Sequence, residues 1–246
     1  MNVSVRIFLA GASGIIGQRL APLLIAAGHA VVGTTRSRAK AGELKARGVE
    51  PIVVDVFDAA ALRDAVVDAR PDVVIHQLTD LPQVFDPAQR AKISERNARL
   101  RIEGTAHLVA AALVAGARRL IAQSIAFAYA DGPEPYAETD PLASAEGNEP
   151  SAITARGVRA LENAVVNSPP MDGIVLRYGR LYGPGTWSET TDGRAPLHVD
   201  AAAQAAVLAV TRGAPGIYNI AEEDGAVMIE KARAALGFDP AFRLRR

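Results

Sequence analysis

The stretch Val3–Ala10, followed by Gly11-Ala-Ser-Gly14-Ile-Ile-Gly17, decides the fold of this 246-residue chain. Val3–Ala10 is a short apolar run rich in β-branched residues, which predicts a buried strand. A helix is predicted over Gly14–Ala27, and Gly28 ends it. Three glycines at this spacing between a strand and a helix are typical of a dinucleotide-binding turn. The first allows the tight turn, the second lets pyrophosphate approach the backbone, and the third lets the helix pack closely on the sheet.

The start of this helix is predicted to hold the phosphates of the dinucleotide. Free N–H groups and the positive end of the helix dipole favour anions there. The predicted cofactor-binding residues of this turn are Gly11, Ser13, Gly14, Ile15, Ile16 and Gly17.

The end of the second predicted strand, Ala30–Thr35, bears on the choice of cofactor. The next residues are Arg36, Ser37 and Arg38. An NAD enzyme usually places Asp or Glu here to bind the ribose 2′-hydroxyl, and that acid would repel a 2′-phosphate. Arginine pairs with a phosphate through two parallel hydrogen bonds. We therefore predict NADP as the cofactor, with NAD less favoured; the alternative is that both arginines are solvated surface residues.

Strands and helices alternate along the rest of the chain. Further strands are predicted at Pro51–Val56, Asp72–Gln77, Arg119–Ser124, Gly173–Leu181 and Gly216–Ile220. Helices are predicted at Ser37–Arg47, Ala59–Ala69, Ala91–Ala115, Ser151–Asn167, Asp200–Thr211 and Gly225–Leu236, with a surface loop at 131–150. This order predicts an α/β fold, a Rossmann-type doubly wound parallel sheet. We expect one domain, 1–246, with a nucleotide-binding core over about residues 1–170 and a small C-terminal substrate-side lobe within about 171–246.

Composition excludes several classes of function. Lys plus Arg and Asp plus Glu both total 27, so the chain lacks the basic excess that nucleic acid or an acidic membrane would require. With no cysteine there is no disulfide, Fe–S cluster or thiolate zinc site, and no metal is expected. No stretch approaches the roughly 20 apolar residues that span a bilayer, and the N-terminal apolar run is too short for a signal peptide. We expect a cytoplasmic protein with a small-molecule substrate.

Several motifs, in order along the chain, resemble the extended or atypical short-chain dehydrogenases/reductases, specifically the NAD-dependent epimerase/dehydratase group. The G-x-x-G-x-x-G turn is the first of them. The others are Val53-Val54-Asp55, Val74-Ile75-His76-Gln77-Leu78-Thr79, Gly104-Thr105 with Leu108 and Ala111-Ala112, Leu176-Arg177 through Tyr182-Gly183-Pro184-Gly185, and Tyr218-Asn219-Ile220. The resemblance covers most of the chain and identifies a superfamily, not a substrate.

This resemblance implies roles for individual residues. Asp55, with Val56 beside it, would face the adenine amino group, and a strand-end turn or helix cap is the alternative for Asp55. The segment Gln77, Leu78 and Thr79 would line the cofactor ribose. Tyr178 would lie near the nicotinamide or serve packing alone, and Arg177 and Tyr182 would face the substrate. A hydrogen-bonded core histidine is the favoured interpretation of His76.

The usual catalytic residues of that family are missing. Its members carry a Tyr four residues before a Lys on the helix predicted here at Ser151–Asn167, and the Tyr exchanges the proton while hydride moves. Anchored on Glu162, these positions are Thr154 and Val158. Anchored on Tyr129, the family's Ser falls on Ile125, one residue after Ser124. Ser124, Tyr129 and Tyr136 remain as candidate catalytic groups.

The leading hypothesis is an NADP(H)-binding oxidoreductase or epimerase-like enzyme for a small carbonyl or sugar-like substrate. The absent dyad keeps two alternatives open, a non-catalytic NADP-binding sensor or regulatory protein and a non-redox lyase or isomerase. The short C-terminal lobe argues against a bulky nucleotide-sugar substrate. A homodimer through the helices Ala91–Ala115 and Ser151–Asn167 is a further expectation.

Overall fold

The protein is described by a computed structural model over residues 4–82, 84–191 and 193–244. Seven strands form one sheet, in the order β3-β2-β1-β4-β5-β6-β9, and two short strands, β7 and β8, pair separately. The strands are β1 Arg6–Ala10, β2 Ala30–Thr35, β3 Glu50–Val53, β4 Val73–His76, β5 Arg119–Ile125, β6 Asp172–Tyr178, β7 Arg180–Tyr182, β8 Pro196–His198 and β9 Gly216–Ile220. Val3, the predicted start of the first strand, lies outside the described residues.

Eight α-helices connect and cover these strands within the described ranges. They are α1 Gly17–Ala26, α2 Arg38–Ala46, α3 Ala59–Ala69, α4 Arg90–Arg99, α5 Thr105–Val114, α6 Pro150–Val166, α7 Val199–Ala209 and α8 Glu230–Leu236. No helix among these residues is long and apolar enough to cross a membrane.

The sheet is parallel throughout and is covered on both faces, as the sequence predicts. On β1, Ile7 and Leu9 pack under α1, α2 and α7, whereas Phe8 and Ala10 pack under α3, α5 and α6. Because the strand order reverses between β1 and β4, a crevice opens at the carboxyl ends of these two strands, where such folds bind ligands. The predicted fold class, a Rossmann-type α/β sheet, is confirmed.

The sequence predicts one continuous α-helix over Ala91–Ala115, and that prediction is wrong, because the helix is interrupted. A π-helical turn, Leu100–Gly104, separates α4 from α5. Gly104 lies close to Val56, since a Cβ on Gly104 would be 3.2 Å from a Val56 methyl carbon. The wider turn adds a residue without ending the helix, and no change in composition marks it.

Two other boundaries are set by close backbone approaches and tertiary pairing. The predicted strand Gly173–Leu181 breaks at Gly179, where a Cβ would lie 2.1 Å from the carbonyl oxygen of Ala195. The predicted last helix begins at Glu230 instead of Gly225. The residues before it pair with the loop after β5, with the Met228 N–H donating to the Tyr136 carbonyl at 2.8 Å.

Gly173 and Gly42 provide a matched test of this packing. A Cβ on Gly173 would lie 1.9 Å from the Val165 carbonyl oxygen, so Gly173→Ala should push α6 off β6 and lower the free energy of unfolding by about 1–3 kcal/mol. Gly42 is exposed inside α2, and a Cβ built on it would have no neighbouring atom within 4 Å. Gly42→Ala should therefore raise the free energy of unfolding by about 0.4–1 kcal/mol. Urea unfolding of both variants measures these changes, and equal changes in the two variants would contradict the close packing of Gly173 against α6.

Candidate active site

The glycine-rich turn leaves space at the crevice for a dinucleotide. Gly11 has φ +91°, and a Cβ there would lie 2.9 Å from the Gln77 carbonyl oxygen. A Cβ on Gly17 would lie 2.3 Å from the Gly11 carbonyl oxygen, so the start of α1 packs directly on the turn. Ser13, Gly14 and Ile15 remain at the surface of the crevice. This cradle fits a pyrophosphate at the N-terminus of α1.

Hydroxyl groups bind the glycine-rich turn to the end of β2. Thr34 accepts the Gly11 N–H at 3.1 Å, and the Ser13 hydroxyl donates to the Thr35 hydroxyl oxygen at 3.0 Å. Thr35 also accepts the Ser37 N–H at 3.1 Å, and Ser37 caps α2. The position that would hold an acid in an NAD enzyme therefore carries a hydroxyl group whose partners lie within the protein.

Arg36 and its neighbours form an exposed charge cluster beside this end of β2. Asp80, in the loop after β4, lies 3.7 Å from Arg36 and 3.4 Å from Arg96 of α4. Two guanidinium groups thus share one carboxylate, and a net positive charge remains. Arg38 is exposed nearby. The sequence did not reveal Asp80 or Arg96 as site residues, because the cluster is assembled from segments that are distant along the chain.

The predicted adenine-side and ribose-side residues differ in their accessibility. Asp55 is exposed and accepts the Phe57 N–H at 3.0 Å, so it forms a local turn whose carboxylate stays at the surface. Leu78 is half-buried and Thr79 exposed at the edge of the crevice. Ile16 and Val56 have buried side chains and can offer a ligand only backbone atoms.

Two of the predicted cofactor-binding residues, Gln77 and Tyr178, have buried side chains. Tyr178 is 1% exposed, and its hydroxyl donates to the Ala202 carbonyl at 3.0 Å; burial raises the pKa of this hydroxyl. The buried side chain of Gln77 turns toward the same hydroxyl, with 3.4 Å between Nε2 and the oxygen. The two side chains contact each other behind the crevice, and their contacts with a cofactor stay predictions.

His76 has a structural role. It lies at the end of β4, is 1% exposed, and accepts the Leu78 N–H on Nδ1 at 3.2 Å. Its Nε2 lies 3.0 Å from the Thr105 hydroxyl oxygen. Burial, together with the nearby charge of Arg101, lowers the pKa of His76 to about 4. The imidazole is therefore neutral at physiological pH.

A buried network connects β5, β6 and α6. The carboxylate of Glu162 accepts two bonds from Arg177, at 2.9 and 2.7 Å, and one from the Ser124 hydroxyl at 2.7 Å. Ser124 is 1% and Arg177 3% exposed. In this structure both side chains bind Glu162, and the catalytic role of Ser124 and the substrate-binding role of Arg177 stay predictions. Their polar atoms are already paired, away from solvent.

The hydroxyls of the three remaining tyrosine candidates are occupied as well. Tyr129 donates to Asn219 at 2.6 Å and accepts from Arg177 at 2.8 Å, and burial raises its pKa. The Tyr136 hydroxyl is bonded to both the N–H and the carbonyl of Gly132. Tyr182 donates to Glu222 at 2.7 Å, and burial and that carboxylate raise its pKa. None of these predicted groups is placed as a ready proton donor.

The positions of the family's Ser and Lys are filled by an apolar cluster. Ile125 and Val158 pack together with Ala128 and Leu142, and Val158 has no accessible surface. At the family's Tyr position, the Thr154 hydroxyl lies 3.4 Å from that of Ser94 on α4. Proton transfer by a Ser–Tyr–Lys set is excluded at this point of the fold.

A cleft of about 370 Å³ opens beyond the carboxyl ends of β5 and β6. The rings of Tyr129 and Tyr136 form part of its wall, stacked at 4.9 Å with 6° between their planes. The Arg180 guanidinium lies over the Phe127 ring at 4.7 Å, and both residues also line the cleft. The sequence did not single out Phe127 or Arg180.

A strap from the β7–β8 connection crosses toward the crevice. The Pro184 carbonyl accepts a hydrogen bond from Arg19 of α1. Further along, the Trp187 indole N–H donates to the Pro82 carbonyl at 2.8 Å, and its ring lies 5.0 Å from that of Phe85. The strap thus meets the loop after β4 at the mouth of the crevice.

Comparisons with known proteins identify the family. The model of the NAD dependent epimerase/dehydratase family matches residues 7–197. A Streptomyces protein named 3-diazoavenalumate denitrifying reductase is 41% identical over 241 residues, which are 90% of this chain and 77% of that protein. The dTDP-4-dehydrorhamnose reductase of Streptomyces griseus is 30% identical over 73% of this chain and 51% of that enzyme, so the chain spans about half of it. This chain belongs to the NAD-dependent epimerase/dehydratase family, and its relatives support an oxidoreductase-like enzyme.

Solved structures agree in fold. UDP-glucose 4-epimerase of Thermotoga maritima, crystallised with UDP-glucose, matches with a TM-score of 0.75 at 18% identity, over 96% of this chain and 94% of that one. The Bordetella bronchiseptica enzyme WbmG, in complex with NAD, matches with a TM-score of 0.74 at 18% identity, over 98% and 91%. At this identity the likeness supports the fold alone.

The neutral state of His76 makes stability depend on pH. In the unfolded chain the imidazole titrates near 6.5, whereas in the fold its pKa is about 4. The unfolded state therefore binds the proton first, and stability is lost as the pH falls from 6.5 toward 4. His76→Gln should lose less stability over this range than the wild type. Urea unfolding at pH 7, 6, 5 and 4 measures both profiles, and parallel profiles would disprove the role of His76.

Proposed function

We propose that the protein is an NADP(H)-dependent reductase whose substrate accepts a hydride and needs no proton from the protein. The favoured substrate class is a small aryl diazonium compound, from which nitrogen is lost on reduction. The name of the relative that is 41% identical, a denitrifying reductase of 3-diazoavenalumate, supports this class. This class replaces the expected small carbonyl or sugar-like substrate.

The observation that carries the proposal is the apolar cluster at the catalytic positions. A carbonyl becomes an alkoxide when it receives hydride, and a positioned acid contributes about 10²–10⁴-fold in rate to its protonation. Here Ile125 and Val158 occupy the Ser and Lys positions, with Thr154 at the Tyr position. The site therefore favours a substrate whose reduction produces no anion.

An aryl diazonium ion meets that requirement. Bound reduced nicotinamide supplies a hydride. The carbon–nitrogen bond breaks with its electron pair leaving in N₂, and a carbon–hydrogen bond forms with the pair of the hydride. A cation and a hydride give a neutral arene and N₂, so charge balances without a proton. The residues of this chain need only bind, orient and exclude water from the cation.

The choice of NADP over NAD is part of the proposal. Its support is the Thr35 hydroxyl at the end of β2, where an acid would repel a 2′-phosphate, and the net positive charge that Arg36 and Arg96 keep after sharing Asp80. Arg36 is the exposed member nearest to the strand end.

The cofactor prediction is tested with Arg36→Ala. NADPH should bind the wild type at least tenfold more tightly than NADH, about 1.4 kcal/mol, because a guanidinium pairs with the 2′-phosphate. The variant should lose most of this preference while its affinity for NADH stays the same. Calorimetry measures both affinities. Arg118→Ala, which removes an exposed arginine just before the amino end of β5, is the matched control and should leave both unchanged. Equal affinities of the wild type for the two cofactors would refute the assignment.

The reaction is tested by isotope transfer to 4-methoxybenzenediazonium, a cation with no ionisable hydroxyl. With NADPH deuterated at the transferred position, the enzyme should give anisole carrying deuterium at the carbon that bore nitrogen. In D₂O with unlabelled NADPH, that carbon should carry no deuterium. Mass spectrometry of the anisole measures both, with reactions lacking protein as the background. Deuterium taken from D₂O alone, or no rate above background, would contradict the proposal.

The competing function is a non-catalytic NADP-binding sensor, which the same apolar cluster would suit. A carbonyl panel and the diazonium probe distinguish the two. NADPH binding without oxidation by either class of compound would favour the sensor. Oxidation by aldehydes or ketones at a high rate would instead indicate a carbonyl reductase with another proton donor.

The homodimer remains a proposal. Its support is the exposed apolar surface of the helical layer that contains α5 and α6. Ile102 of the π-helical turn is 40% exposed, Val114 of α5 67%, and Val166 of α6 37%. Burying these side chains against a second copy would remove apolar area from water.

A further inference from the structure

We infer that the cleft beyond β5 and β6 binds the conjugated, aromatic part of a substrate that also carries a carboxylate, and that Arg180 binds this carboxylate. The inference deepens the proposed function, on which it rests for the statement that the cleft holds a substrate. It adds that the protein selects substrates in which a conjugated, aromatic system carries a carboxylate.

The cleft lies at the carboxyl ends of the parallel strands, on the same side of the sheet as the glycine-rich turn. Its floor begins at Ala126, directly after β5, where the Ala126 N–H donates to the Tyr178 carbonyl at 2.8 Å. Ligands of parallel α/β sheets bind outside the carboxyl ends of the strands, and both β5 and β6 end here. The volume of about 370 Å³ is in the range of sites for small molecules.

One wall is a rigid aromatic surface. The rings of Tyr129 and Tyr136 are parallel, and each hydroxyl is held by hydrogen bonds within the protein. These two rings therefore lose little conformational freedom when a ligand binds. Because their hydroxyls are already paired, they offer the ligand flat apolar area. A flat, conjugated ligand suits that surface better than a hydrated sugar does.

The polar groups of the cleft favour an anion at one end. Arg194 is paired with Glu134, so its charge is already compensated. Arg180 lies over Phe127, which orients its guanidinium without neutralising it. In the part of the chain that the structure describes, Arg180 forms no ion pair with a carboxylate. A planar guanidinium beside an aromatic ring is suited to a carboxylate attached to a conjugated system.

Asp131 also lines the cleft, so the site is not uniformly positive. A carboxylate at Arg180 and a cationic group elsewhere in the same molecule would both find a partner. A diazonium substrate with a carboxylate tail has this distribution of charge. A neutral carbonyl compound does not.

The experiment measures binding to the full chain saturated with NADP⁺, using 4-hydroxycinnamate and its methyl ester as unreactive probes. The acid should bind the wild type more tightly than the ester. Arg180→Gln should weaken binding of the acid tenfold or more, the loss expected for a charge-assisted hydrogen bond, and change binding of the ester less than threefold. Arg118→Gln, which removes an exposed arginine remote from the cleft, should change neither affinity. The affinity of Arg180→Gln for NADP⁺ and its melting temperature report whether the variant is folded.

Equal binding of acid and ester, no binding of the acid, or equal loss of both in Arg180→Gln would overturn the inference. Tyr136→Leu provides the second measurement, because loss of the ring should weaken acid and ester alike. These measurements involve no turnover. If the diazonium reaction fails while Arg180 still selects the acid, the proposed reaction is wrong and the binding site stands. If the reaction proceeds but Arg180→Gln binds the acid normally, the proposed reaction stands and the role of Arg180 in binding the carboxylate is wrong.

Discussion

A buried ion pair, between Glu162 and Arg177, determines how the catalytic half of this molecule is arranged. The two side chains are 5% and 3% exposed, and removing one partner of such a pair typically costs about 3–5 kcal/mol because a charge is left unpaired. Glu162 belongs to α6 and Arg177 to β6, so their bonds fix the helix on the sheet. Through the Tyr129 hydroxyl the same network reaches Asn219 on β9. The buried ion pair therefore helps to position the Tyr129 ring, which forms part of the wall of the cleft, through the hydrogen bond from Arg177 to the Tyr129 hydroxyl.

The site contains buried charges that support its architecture but not the Tyr and Lys that move protons in the family. Arg101, on the π-helical turn, is a second cation near Glu162. Burial lowers its pKa to about 10, which Glu162 partly opposes, so it is charged at physiological pH. Its Cδ would lie 3.4 Å from a Cβ on Gly157, so the aliphatic part of this side chain packs against α6 one residue before Val158. Positive charge is thus present in the region without the tyrosine that a lysine would serve.

Local patterns in the sequence predicted the sheet, the glycine turn and most helix ends. They failed where contacts join distant segments. The ion pairs of Asp80 and the stacking of Arg180 on Phe127 connect different loops, and no spacing reveals them. The burial of Ser124, in contrast, could have been predicted. In β5, alternation puts Ser124 on the same face as Leu120 and Ala122, under the helices, so its hydroxyl had to meet α6.

The strap at the mouth of the crevice has a spectroscopic consequence. Trp187 is the single tryptophan of the chain, so all indole fluorescence of the protein originates where the strap meets the loop after β4. Reduced nicotinamide absorbs light at the wavelengths at which indole emits, whereas the oxidised form does not. Energy transfer from Trp187 therefore distinguishes the two redox states of a bound cofactor, with no added label. The molecule carries its own optical reporter beside the place where its chemistry is proposed to occur.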